Sequence, residues 1–107
     1  MLNFKIFLLA ALLLATKAFA TKVQFLASYR LDPRSIVHVS GSAEYSDTDV
    51  DYIEHGIGDW SGYKYEARRT TLDKLVITNT RPVANQDAAN TMLDNMIQLC
   101  NDYTGTG

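Results

Sequence analysis

The chain has 107 residues, 47% of them hydrophobic and 21% charged, with a formal net charge of −2 at pH 7. An acidic balance of this kind argues against a nucleic-acid binder and against a basic membrane-lytic peptide. There is no linker, no low-complexity segment and no short-period repeat, so a single small domain is expected.

The N-terminus reads MLNFKIFLLAALLLATKAFA. Lys5 precedes an apolar run from Ile6 to Ala15, and the segment closes on Ala18-Phe19-Ala20, small residues where a signal peptidase needs them. The run is well short of the roughly 20 residues that span a bilayer. Residues 1–20 therefore read as a secretory signal peptide rather than an uncleaved anchor. The expectation is a secreted protein, or a periplasmic one in a bacterial source. Residues 21–107 then form a single compact α+β domain of 87 residues. Lys5 and Lys17 leave with the signal segment, so eight basic residues face twelve acidic ones, a net of −4.

Val23, Phe25, Ala27, Tyr29 and Leu31 alternate with Gln24, Ser28 and Arg30, the pattern of a half-buried strand. Asp32-Pro33-Arg34 is a turn, with proline presetting its own φ. Ile36 to Tyr45 alternates again, and Gly41 is read as a bulge. The two runs make a hairpin.

Next comes SDTDVDYIEHG, residues 46–56. Ser46 with Asp49 three positions later resembles a capping box, and Asp47 and Asp49 fall in the first turn, where carboxylates suit the helix dipole. Val50, Ile53 and Ile57 lie near one face. His55 is read as the last turn and Gly56 as the residue after the cap. The expectation is a short helix over 47–55. Three glycines between 56 and 62 then predict a loop, GIGDWSGYKY. Residues 63–69 and 75–78 read as two further strands joined through 70–73, and Arg81-Pro82 ends the second. Finally Ala89, Met92, Leu93, Met96, Leu99, Cys100 and Tyr103 recur at three- and four-residue spacing. They predict an amphipathic helix over 86–102 with Asn85 as N-cap.

The order is ββαββα. The simplest packing is a two-layer α+β domain: a four-stranded antiparallel sheet, with one short helix and one longer C-terminal helix on the same face.

The candidate chemistries are weak. Asp47-x-Asp49-x-Asp51 opens like an EF-hand loop, but the sixth position is Tyr52 where glycine is needed and the twelfth is Gly58 where a bidentate glutamate is needed. His38, His55 and Cys100 show no zinc-ligand spacing. No G-x-S-x-G elbow is present. No cofactor and no metal are expected, and the chain reads as non-enzymatic.

Cys100 is the only cysteine. An unpaired cysteine in an exported chain implies either a disulfide-linked dimer through Cys100 or a buried inert thiol, and its place on the apolar stripe favours the second. Charge is polarised: six acidic and no basic residues lie between Glu44 and Asp59, and five basic residues lie between Lys64 and Arg81. These segments either neutralise each other or present opposite faces to a partner.

The best contact candidates are Asp59, Trp60 and Tyr63 in the aromatic loop 56–65, since Trp and Tyr anchor interfaces and stack on sugars. The expected role is a small secreted interaction protein, toxin-like, acting as an antagonistic effector on other cells through a protein or cell-surface carbohydrate partner. One alternative is an inhibitor of a secreted or periplasmic enzyme that uses loop 56–65 as a plug. The other is a small metal-dependent hydrolase built on the acidic stretch 47–54.

Overall fold

The structure, a computed structural model, describes residues 20–71 and 74–104. The expected signal peptide lies outside the described residues except for Ala20. The elements are β1 (Ala20–Asp32), β2 (Ser35–Ser46), α1 (Asp47–Trp60), β3 (Tyr65–Thr71), β4 (Lys74–Asn79) and α2 (Gln86–Thr104). The order is ββαββα, as the periodicities require, in one four-stranded sheet ordered β2-β1-β4-β3.

The sheet is mixed, not purely antiparallel. β1–β2 and β3–β4 are antiparallel hairpins, but the central pair β1–β4 is parallel, with Val23 opposite Leu75 and Phe25 opposite Ile77. The reason lies in the connection. A helix that returns the chain to the starting end of the sheet makes its two flanking strands parallel. Here α1 does so between β2 and β3. Two antiparallel hairpins joined that way can meet through β1 and β4 only in parallel.

Odd-numbered residues of β1 and β4 point to the helices. Val23, Phe25, Ala27, Leu75 and Ile77 are fully buried, and they share one core with Val50, Ile53 and Ile57 of α1 and with Ala89, Met96 and Cys100 of α2. Both helices therefore cover the same face. α1 lies mainly on β3, while α2 lies on β1 and β2. The register of β1 with β2 runs unbroken through Phe25 opposite Gly41, so Gly41 is not a bulge; the irregularity falls between Arg30 and Asp32, beside the turn.

The last link in the sheet is a side chain. β4 ends at Asn79, and the chain returns beside β1 only at Val83, a parallel bridge to Tyr29. Asn79, itself buried, fills the interval. Its Oδ1 accepts from the Ser28 backbone N–H at 2.8 Å and the Ser28 hydroxyl at 2.7 Å, while its Nδ2 donates to the Ser28 carbonyl at 3.0 Å and the Arg81 carbonyl at 2.7 Å. The carboxamide thus does the work of a peptide group in the ladder. Among the described residues no buried side-chain nitrogen or oxygen lacks a partner, and no helix is long and apolar enough to cross a membrane.

Candidate functional site

α1 starts where the sequence places it. Ser46 is extended and its hydroxyl accepts from the Asp49 N–H at 3.2 Å. It does not stop at His55, however. Gly56, Ile57, Gly58, Asp59 and Trp60 continue the helix, so Gly56 is an interior residue and the expected loop 56–65 shrinks to a turn over 61–64. His55 is likewise mid-helix, with its Nδ1 3.0 Å from the Asp51 carbonyl. Two helical glycines cost about 1 kcal/mol each relative to alanine, and tertiary packing outweighs them. Ile57 is in the core, and Trp60 lies over Gly56.

That last contact explains the glycine. A Cβ on Gly56 would meet Trp60 Nε1 at 2.0 Å. The indole uses the vacant surface one turn back along its own helix, and from there it reaches α2. Its ring stacks on Tyr103 with centroids 3.6 Å apart and an interplanar angle of 14°. Tyr52, two turns before Trp60, meets Tyr103 edge-on at 6.3 Å and 66°. The three rings come from two helices and close their shared seam at the surface. Trp60 is half-buried, while Tyr52 and Tyr103 remain 57% and 48% exposed.

An open groove of about 640 Å³ runs beside this ridge, lined by Thr48, Asp51, Tyr52, His55, Gly56 and Tyr103. A second, of about 380 Å³, is lined by Asp49, Tyr52, Tyr103 and Thr104. Tyr52 and Tyr103 belong to both. The arrangement offers aromatic surface flanked by the carboxylates of Asp49 and Asp51 and by one imidazole. It can stack on a flat apolar face and accept hydrogen bonds from hydroxyl groups.

Of the residues singled out in the sequence, Trp60 belongs to this ridge. Tyr63 and Asp59 form their own contact: the Tyr63 hydroxyl donates to Asp59 Oδ1 at 3.1 Å. Gly62 and Tyr63 both have positive φ, 67° and 62°, and the Tyr63 N–H closes the end of α1 by donating to the Gly58 carbonyl at 2.6 Å. Tyr63 is 72% exposed and lies before β3 begins, whereas Tyr65 is in the core. Tyr52 and Tyr103 were not legible as site residues. Tyr103 reads as one more member of the apolar stripe of α2. The missed signal is the i, i+4, i+8 series Tyr52, Gly56, Trp60, visible only once Gly56 is counted inside the helix.

The acidic row is turned toward its own chain. Arg69, on the helix-facing side of β3, places Nε 3.2 Å from both Glu54 carboxylate oxygens and Nη2 3.3 Å from Asp51 Oδ1. Asp47 accepts from the Thr21 hydroxyl at 2.6 Å. A guanidinium thus occupies the space between Asp51 and Glu54 where a bound cation would sit.

Cys100 is fully buried. Burial holds its thiol protonated by pushing its pKa up to about 12, so a disulfide to a second chain would require the C-terminal half of α2 to open.

Comparison with protein-family models, curated proteins and solved structures gives no match.

Proposed function

We propose that the protein is a small secreted, non-enzymatic binding protein whose recognition surface is the ridge of Tyr52, Trp60 and Tyr103 with its flanking grooves. Its role is that of an antagonistic effector acting on other cells. The observation that carries the reading is the assembly of three rings from two helices, with Trp60 packed against the core edge and Tyr52 and Tyr103 left exposed beside it. Aromatic faces beside carboxylates favour a cell-surface carbohydrate: apolar sugar faces stack on rings, and sugar hydroxyls donate to Asp49 and to Asp51, which stays 71% exposed while paired with Arg69. The N-terminal segment supports export.

The test is binding of purified protein to a panel of immobilised glycans, paired with growth inhibition of cells that display the bound glycan. Tyr52→Ala should abolish glycan retention while leaving the fold intact, because Tyr52 is exposed and lies outside the core. Retention by both proteins, or by neither, sinks the reading. Capture of a protein in place of a glycan, lost in Tyr52→Ala, would keep the surface and replace the ligand.

Tyr63 supports a second reading, inhibition of a secreted enzyme. An exposed ring on a tight turn with two positive φ angles is a preorganised projection. In that case Tyr63→Ala, and not Tyr52→Ala, removes partner capture.

A further inference from the structure

We infer that the protein pairs with a second copy of itself through the outer edge of β2, antiparallel and centred on Gly41, to form a continuous eight-stranded sheet. This is independent of the aromatic ridge, which lies on the helical layer.

The two edges of the sheet are built differently. β3 is seven residues long and carries Glu66, Arg68 and Arg69. Short length and charge, including the inward-pointing Arg69, are the devices that keep an edge from pairing. β2 is long, and Glu44 is its single formal charge. It is twelve residues long, SIVHVSGSAEYS, with no lysine, arginine or proline. A typical strand has about 5–6 residues. β2 is bonded in register to β1 over nearly its whole length, so a long, straight row of backbone donors and acceptors faces outward on its other side.

The side chains favour a self-complementary register. Residues opposite each other in an antiparallel pair lie on the same face. With Gly41 opposite its own copy, Val39 faces Ala43 and Val37 faces Tyr45 on the helical side. On the open side Ser40 faces Ser42, and His38 faces Glu44, twice by symmetry. Shifting by one step of the ladder to centre on Ser40 would instead set Ile36 against Glu44. The Gly41 register thus matches apolar with apolar and acid with imidazole. It also covers Val37, Val39 and Ala43, which are only half-buried. Leu93 and Ile97 of α2, equally half-buried, lie above Gly41 and would approach their counterparts across the axis. A Cβ on Gly41 would meet Ile97 Cδ1 at 3.5 Å, an ordinary contact. The space under α2 thus admits a methyl group at Gly41, and Leu93 and Ile97 cover the position from above. Assembly stops at two, since β3 forms both outer edges of the combined sheet.

Sedimentation equilibrium of the purified chain under reducing conditions, from micromolar to millimolar concentration, tests this. The expected result is a monomer–dimer equilibrium that His38→Glu weakens at least about tenfold, as two like-charge pairs replace two attractive ones. Adding Glu44→Lys to His38→Glu should restore it. Both side chains are exposed in the monomer, and far-ultraviolet circular dichroism verifies that each variant keeps the fold. A monomer at every concentration overturns the proposal. So does a dimer indifferent to His38→Glu, failure of the double variant to recover, or an open-ended assembly.

Discussion

At the scale of single residues, Asn79 shows how much one polar side chain can hold. Its carboxamide donates and accepts against Ser28 as a backbone peptide would, and it does so at the end of the parallel pair that joins the two hairpins. Leaving the Ser28 N–H without an acceptor in a dry site costs about 1–3 kcal/mol, and four further bonds go with it. Asn79→Ala should therefore destabilise the domain by about 2–4 kcal/mol, read as a lower urea midpoint at unchanged m. Asn79→Asp keeps the acceptor but loses both amide donors, so it should be nearly as harmful at neutral pH and partly recover in acid, where a protonated carboxyl donates once. A neutral Asn79→Ala would show that the link to Val83 alone secures the sheet. None of this is legible in the sequence, where Asn79 is one of several polar residues after a β-branched run. What makes it structural is a partner 51 positions away.

At the scale of the element, α1 separates what local rules decide from what packing decides. Its start was readable because the Ser46 cap and the first-turn aspartates act within one turn, and Ser46→Ala should cost about 1 kcal/mol. Its end was not readable, because glycine at 56 and 58 is the local signature of termination, and only contacts from α2 and the core keep the helix going. Gly56→Ala probes that competition. The intrinsic gain is about 1 kcal/mol, but the new Cβ displaces Trp60 from over the helix and off Tyr103, losing a stacked pair with a typical value of about 0.5–1.5 kcal/mol. The two nearly cancel. The expected outcome is an almost unchanged melting temperature together with a red-shifted, more quenchable emission from the sole tryptophan. A large gain in stability with unchanged emission would mean that Trp60 tolerates the methyl group in place.

At the scale of the whole molecule, strand number, helix number, their order and the single covered face follow from periodicity, and the candidate contact residue Trp60 from its type. Strand order does not, because period-two patterns mark faces and carry no address for a neighbour. The parallel centre could have been deduced: once a helix is placed between β2 and β3 on one face, those strands run parallel and β1 must run parallel to β4. The core that results predicts the pH range in which the domain fails. Cys100 and Tyr45 both sit in it, near the C-terminal half of α2, where the Tyr45 hydroxyl bonds Asn101. Desolvation by burial raises the thiol from 9.0 to about 12. It also raises the phenol from 10.0 to about 12, with added repulsion from Cys100 and Asp49. In the unfolded chain these groups release their protons near pH 9 and 10, while in the folded chain they hold them until about 12. Unfolding therefore releases protons in that interval, and stability falls as pH rises. The contribution is complete below pH 9 and gone above 12. Urea titrations at stepped pH should show the decline beginning near pH 9 in the native sequence. In Cys100→Ala the onset moves toward pH 10, because the buried phenols of Tyr45 and Tyr65, both raised by burial, remain to titrate. The same burial makes the thiol unreactive toward a disulfide reagent until urea opens the core. An onset that stays at pH 9 without the cysteine would assign it to another group, whereas rapid thiol labelling of the folded protein would mean that α2 opens well below the global unfolding free energy, and a disulfide between copies through Cys100 would then be within reach.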